Sequence, residues 1–276
     1  MRERSQNFDP RQNMSGQAFE IFHYKEPRPA DVEVHHHDFY EVYHLLEGRV
    51  DYWVEGRILS MEPGDLLLIN PMELHRPIIN HNQQNYERIV LWINREYLQN
   101  ISPELCACFD GTDRVHLIRQ GAGQVTVRLR DLVREYYSAE SCSDFAAQGI
   151  FLQFMAQLNR LCTHSNEVQG RALSEQVQRA LRYITDNIAQ SLSLEQIAAA
   201  CFVSKYHLSH AFTREVGVSV YRYILLRRLV LARELLAAGE SAGAVCRACG
   251  FSDYSAFYRV FRSEYGISPK AYSLKK

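Results

Sequence analysis

Two stretches of this 276-residue chain repeat one another at an offset of 49 residues: "FVSKYHLSHAFTREVGVSV" begins at Phe202 and "FSDYSAFYRVFRSEYGISP" at Phe251. Phe202 aligns with Phe251, Phe212 with Phe261, Glu215 with Glu264, Gly217 with Gly266 and Ser219 with Ser268. Each copy follows a short helical segment, "LEQIAAA" or "AGAVCRA", and a tight turn. Each then starts at a polar cap, Ser204 or Asp253, and stops at a glycine, which suits the left-handed residue that ends a helix. This is the pattern of a helix-turn-helix written twice.

Between the copies, "SVYRYILLRRLVLARELLAAG" keeps a helical period from Ser219 to Gly239. About twenty residues at 1.5 Å each make a rod of about 30 Å. A turn of B-DNA is about 34 Å, so two recognition helices joined by such a rod match successive major grooves. In the first copy Leu208, Ala211 and Phe212 are expected to pack inward, and in the second Phe257, Val260 and Phe261. The polar faces left over give the expected DNA contacts. They are Ser204, Lys205, Tyr206, Ser209, His210 and Arg214 in the first copy, and Tyr254, Ser255, Tyr258, Arg259 and Arg262 in the second. Arg259, at mid-helix, can grip guanine O6 and N7 in a bidentate fashion, whereas its counterpart His210 offers a shorter donor. Lys205, Arg214 and Arg262 are better suited to neutralising phosphates, and Asp253 to capping its helix.

Charge supports the division of labour. Residues 171–276 hold 15 Lys and Arg against 8 Asp and Glu, while residues 1–170 hold 16 against 24. Only the basic half suits a polyanion. The seven cysteines read as reduced thiols, and Cys246 and Cys249 as core residues rather than half of a zinc site. No apolar run of spanning length appears. The N-terminus "MRERSQNFDPRQNM" lacks the apolar stretch of a signal peptide, so a cytoplasmic location is expected.

The acidic half reads differently. Residues 17–118 carry alternating and short apolar strands, "VEVHHHDFYEVYHLLEG", "RVDYWVEG", "DLLLIN" and "RIVLWIN", punctuated by Gly48, Gly56, Pro63-Gly64 and Asn70-Pro71. Such spacing predicts a small antiparallel β-barrel. From about residue 122 the period becomes helical. Val125, Leu129, Leu132, Val133 and Tyr136 form one stripe, and Phe151, Phe154, Met155, Leu158 and Leu161 another. Two such helices either cover the barrel or pair with a second chain. The fold class is therefore α+β, with a barrel and two appended helices ahead of an all-α domain of two helix-turn-helix units. The expected boundaries are 1–121 for the barrel, 122–164 for the helices, 165–173 for a linker and 174–276 for the all-α domain, with Ser174 capping its first helix.

On a strand His35 and His37 point to one face, and Glu41 joins them unless a bulge intervenes. If His75 faces them, three nitrogens and one oxygen can hold a divalent metal. The same four side chains can instead line a ligand site that needs no cofactor. Tyr43, Tyr52 and Trp53 suit either stacking against a sugar ring or plain core packing in a small barrel. Two functions are open on these grounds, a ligand-sensing DNA-binding regulator and a metal-dependent enzyme with a helical appendage. The duplicated helix-turn-helix favours the former, with no catalysis expected.

Residues 174–274 resemble the DNA-binding domain of the AraC/XylS family of bacterial transcription regulators. The resemblance is carried chiefly by "GFSDYSAFYRVFRSEYGISPKAY" over 250–272, with "LSLEQIAAACFVSKYHLSHAFTREVG" as the first copy. Two positions depart from the family pattern: Cys201 stands where a glycine is common, and Ser273 where arginine is frequent. The N-terminal half resembles the family's cupin-type sensory domain, most of all that of sugar-responsive members with an "HHHDF" opening. "His35-x-His37-x3-Glu41-x6-Gly48" resembles the first metal motif of cupins, with Pro29 in place of its leading glycine. The resemblance implies a small-molecule effector, dimerisation through the two helices, promoter DNA as partner, and RNA polymerase as a further partner if the protein activates. It also implies ligand contacts on the strand bearing Tyr86, Glu87 and Arg88, of which alternation lets only some face inward.

Overall fold

The computed structural model describes residues 13–26, 29–81, 83, 85–109, 117–119, 122–164, 168 and 170–274. The N-terminal segment read for a signal peptide lies largely outside them, as does part of the expected linker. The chain divides into two compact units, with the boundary between Ala172 and Leu173.

The first unit is built from β1 (Phe19–Lys25), β2 (Tyr40–Glu47), β3 (Val50–Val54), β4 (Arg57–Met61), β5 (Leu66–Ile69), β6 (His75–Ile79), β7 (Glu87–Ile93), β8 (Leu117–Ile118) and β9 (Arg171–Ala172). Rather than one closed ring, these strands make two open antiparallel sheets, β1-β7-β2-β5-β8 and β6-β3-β4-β9. The sheets share an interior of Phe22, Tyr24, Tyr43, Leu67, Val90 and Trp92 from one and Tyr52, Val54, Leu59 and Met61 from the other. Arg171 and Ala172, expected in the linker, pair with Ile58 and Arg57 of β4 and so belong to a sheet.

The described residues of this unit also form the α-helices α1 (Arg95–Ile101), α2 (Ala122–Tyr136) and α3 (Ser143–His164). The apolar stripes of α2 and α3 pack on the outer face of the five-stranded sheet, whose Phe19, Ile21, Val42, Leu68, Ile89 and Leu91 they cover. Phe151 of α3 stacks on Phe19 with ring centroids 4.4 Å apart. Covering the sheet is therefore one task of this pair. Val127, Phe145 and Leu152 on its other side remain exposed.

The second unit is helical: α4 (Glu175–Asp186), α5 (Leu194–Ala200), α6 (Lys205–Val216), α7 (Val220–Ala237), α8 (Ala242–Ala248), α9 (Tyr254–Tyr265) and α10 (Pro269–Ser273). The two helix-turn-helix units are α5–α6 and α8–α9, and α7 is the rod between them, 18 residues and about 27 Å long. The repeat is larger than its motifs, because α4 stands before α5 as α7 stands before α8. In the first copy Glu215 accepts hydrogen bonds from the backbone N–H and hydroxyl of Ser174 at the start of α4. In the second, Glu264 pairs with Arg222 in the first turn of α7 at 3.1 Å. Each recognition helix thus reaches back with the same glutamate to the first helix of its own three-helix unit. Ser174 caps α4 by position, but its side chain serves Glu215 and makes no cap hydrogen bond.

The alignment through the turns needs correction. The caps Ser193 and Ser241, and the helix ends Cys201 and Cys249, are 48 residues apart rather than 49. One extra residue sits in the second turn. Phe202 therefore corresponds to Gly250, and both are left-handed, at φ 58° and 74°. Val203, not Phe202, takes the place of Phe251. Cys201 likewise does not replace a glycine, for it has an ordinary helical φ of −93°. Cys246 and Cys249 are buried in the core of the second unit with Leu229, Phe257 and Phe261.

Candidate functional site

The recognition helices start and stop as the sequence dictates. The Ser204 hydroxyl accepts from the His207 N–H, and the Asp253 carboxylate accepts from the N–H groups of Ser255 and Ala256. Gly217 and Gly266 close α6 and α9 in the left-handed conformation, at φ 97° and 71°. Leu208, Ala211 and Phe212 are buried in α6, and Phe257 and Phe261 in α9, with Val260 packed against the same core. Phe212 meets Tyr223 of α7 edge-on at 5.5 Å.

The side chains expected to touch DNA line the opposite faces. Lys205, Tyr206, His210, Arg214, Tyr254, Ser255, Arg259 and Arg262 are exposed, and Ser209 and Tyr258 half-buried. Their commitments within the protein differ. Lys205 pairs with Glu195 at 2.9 Å and lies over the Tyr206 ring. Arg214 donates to Glu215, and Arg262 reaches toward the Tyr258 hydroxyl. Ser204 spends an oxygen lone pair on its cap. Arg259 and His210 make no side-chain hydrogen bond or ion pair among the described residues, which leaves both free to meet a partner. Sequence reasoning missed Phe202, which stands 84% exposed in the first turn with the Arg179 guanidinium over its ring.

In the first unit the histidines do not lie on one strand. β2 begins only at Tyr40, and the chain bends at Asp38 and Phe39, so the expected strand alternation does not govern His35 and His37. Instead His35 bridges to His75 through paired backbone hydrogen bonds, His35 N–H to His75 O at 3.1 Å and the reverse at 3.0 Å. The bend lets His37 approach Glu41, Nε2 to Oε2, at 3.4 Å. One nitrogen each from His37 and His75 and one Glu41 oxygen lie within 4.8 Å of one another, and all three residues are buried. His35 stands outside this trio, its ring 4.2 Å from that of His75 but 6.2 Å from that of His37.

The imidazoles are held in defined tautomers. The Nδ1 atoms of His35, His37 and His75 lie 2.8, 2.9 and 2.8 Å from the carbonyl oxygens of Glu33, Phe39 and Glu73. A carbonyl only accepts, so each Nδ1 carries the proton. Desolvation, then the neighbouring His35 and His37, hold His75 well below the usual histidine range. Desolvation and His37 push His35 down to about 4. A neutral imidazole protonated at Nδ1 presents a lone pair at Nε2. Glu41 is oriented in turn by Trp92, directly opposite on β7, whose Nε1–H donates to Oε2 at 2.9 Å.

Beside the trio runs a wall of phenols. Tyr52 lies 6.4 Å from His75 and 5.0 Å from Tyr43, and the Tyr43 and Tyr86 hydroxyls share a hydrogen bond. Arg88 inserts between the Tyr24 and Tyr86 rings at 4.7 and 4.6 Å and donates to Glu26 at 3.3 Å. Burial works to discharge this guanidinium, but Tyr43, Tyr86 and Glu26 outweigh it and raise its pKa. Burial also drives the Tyr43 and Tyr52 phenols well above their usual range.

Two expected ligand contacts face elsewhere. Tyr52 points inward, so its neighbour Trp53 takes the opposite face of β3, where it is fully buried. Arg88 points inward, so Glu87 faces out, binding Lys25 and His23, each at 2.8 Å. Tyr24, Glu26 and Trp92, which sequence reasoning did not include, stand on the interior instead. Opposite strand pairs (Tyr24 with Arg88, Trp92 with Glu41) put them there, and only the strand order reveals it.

Comparison with known proteins agrees with this architecture. Residues 20–155 match the AraC-like ligand binding domain family, and residues 197–275 a helix-turn-helix domain family. The HTH-type transcriptional activator RhaS of Citrobacter koseri is 26% identical over 266 residues, covering 93% of this chain and 92% of its own. The regulatory protein PocR of Salmonella typhimurium is 36% identical over 97 residues, covering 35% of this chain, which in turn spans only 32% of PocR. Among solved structures, the C-terminal domain of AraT, a response regulator from Geobacillus stearothermophilus, is 29% identical, covers 38% of this chain and 88% of that one, and has a TM-score of 0.37. These domains and relatives are transcription regulators, not cupin enzymes, and this chain belongs to the AraC family of ligand-responsive, DNA-binding transcription regulators.

Proposed function

We propose that α6 and α9 are the elements that enter the major groove, and that Arg259 and His210 read base edges there. The observation that carries this reading is the pair of capped helices with buried apolar and exposed polar faces, in a unit richer in Lys and Arg than in acids. Lys205, Arg214 and Arg262 supply phosphate contacts, and their partners Glu195, Glu215 and Tyr258 hold them in place beforehand.

The effector in this reading is a small oxygen-rich molecule, a carbohydrate or a derivative of one. Support comes from the interior of the first unit, where phenols, a guanidinium and carboxylates alternate with flat apolar rings, the chemistry that recognises hydroxyls on a sugar. The exposed Val127, Phe145 and Leu152 of the α2–α3 pair suit self-association as a homodimer. No described helix is long and apolar enough to cross a membrane, which fits work on promoter DNA in the cytoplasm. The likeness to the transcriptional activator RhaS favours activation, and with it contact with RNA polymerase.

The test is binding of the full chain to duplexes selected from a random library, read by fluorescence anisotropy across a range of KCl. Selection should converge on two half-sites about one helical turn apart, with affinity falling steeply as salt rises. Failure to enrich any sequence would overturn the reading. A panel of sugars screened by thermal shift identifies the effector, since a ligand of the folded state raises Tm.

A further inference from the structure

We propose that His37, Glu41 and His75 form a binding site for one divalent first-row transition ion inside the first unit. The three residues are buried together, with a donor atom from each inside a 4.8 Å span. The Nε2 atoms of His37 and His75 are buried and accept no hydrogen bond from any described residue. A buried polar atom left without a partner is destabilising, and two such atoms on adjacent rings converge on one carboxylate.

The ring orientation is that of a ligand set. Each Nδ1–H is anchored on a backbone carbonyl, the outer contact that fixes metal-binding histidines with Nε2 forward. Trp92 does the same for Glu41. Two donors about 2.1 Å from a common tetrahedral ion stand about 3.4 Å apart, which is the separation of His37 Nε2 and Glu41 Oε2. Two imidazoles and one carboxylate select zinc, iron, cobalt or nickel over the oxygen-preferring magnesium and calcium. Three protein donors leave a coordination position for an exchangeable oxygen ligand.

The experiment uses the full chain, stripped with EDTA and titrated with Co2+ in the absence of DNA. The expected result is one Co2+ per chain, with visible d–d absorption that Zn2+ abolishes, a higher Tm, and no effect of Mg2+ or Ca2+. His37→Ala and Glu41→Gln should each weaken binding by more than tenfold. Trp92→Phe, which keeps an aromatic ring but removes the donor to Glu41, should weaken it by about 10- to 100-fold. His81→Ala, at an exposed histidine paired with Asp31, controls for surface binding. Absence of the Co2+ spectrum in the wild type overturns the proposal, as does a spectrum unchanged in Glu41→Gln or lost in His81→Ala. DNA binding is measured separately, so failure here leaves the regulator reading standing, and the converse also holds.

Discussion

Replacing Arg259 with alanine separates sequence reading from mere adhesion. The side chain is exposed and uncommitted within the protein, so its removal strands no partner and Tm should not change. A bidentate contact with guanine contributes about 1–3 kcal/mol, so affinity for a selected operator should fall about 5- to 150-fold. On random duplex the loss should be only that of one cationic contact. Arg262→Ala, one helical turn on, provides the contrast. As a phosphate contact it should weaken binding equally on all sequences and lower the slope of log K against log salt by about 0.9. Anisotropy titrations at four KCl concentrations on both duplexes distinguish the two. Arg259→Ala losing the same factor on operator and random DNA, with base preference intact in a repeated selection, would refute the assignment of this residue to base reading.

Two further outcomes follow from the geometry. Phe202 occupies a left-handed conformation that costs a non-glycine residue about 1–3 kcal/mol, and being exposed it has little packing to lose. Phe202→Gly should therefore stabilise the protein by about 0.5–1 kcal/mol after the added chain entropy of glycine, as read by urea unfolding; a lower midpoint would show that the ring is held by contacts worth more than the strain. The second concerns acid. His35, His44 and His75 all have folded pKa values below their unfolded ones, chiefly through desolvation. The unfolded chain takes up these protons first, so stability is full above about pH 6.5 and declines as pH falls toward 4. Metal-free protein should show a lower urea midpoint at pH 5 than at pH 7, and an unchanged midpoint would show that these imidazoles stay solvated.

The second unit was largely legible because its signals are local. Spacing of three and four, a cap at one end and a glycine at the other are written within twenty residues of each other, and α6 and α9 follow them. The slip at Phe202 arose where one inserted residue in a turn shifted the repeat without disturbing either helix. In the first unit, alternation showed that Tyr52 and Trp53, or Glu87 and Arg88, cannot share a face, but not which of each pair faces in. That choice is made by distant pairings such as Tyr24 with Arg88 and Glu41 with Trp92. The meeting of His37 with Glu41 depends on a bend at Asp38 that no period records. The division of the strands into two open sheets is likewise a matter of long-range register.

The rod α7 has two employers. Near its start, Tyr223 packs on Phe212 of the first reading head; farther along, Leu229, Ala232 and Leu236 belong to the core of the second. Arg228, between them, donates to the Ile188 and Gln190 carbonyls of the α4–α5 loop and sits where a side chain on Gly250 would collide. The heads are thus not beads on a string that can be swapped or trimmed one at a time. Damage to either core is transmitted along a common spine, and cutting α7 would deprive both halves of a wall.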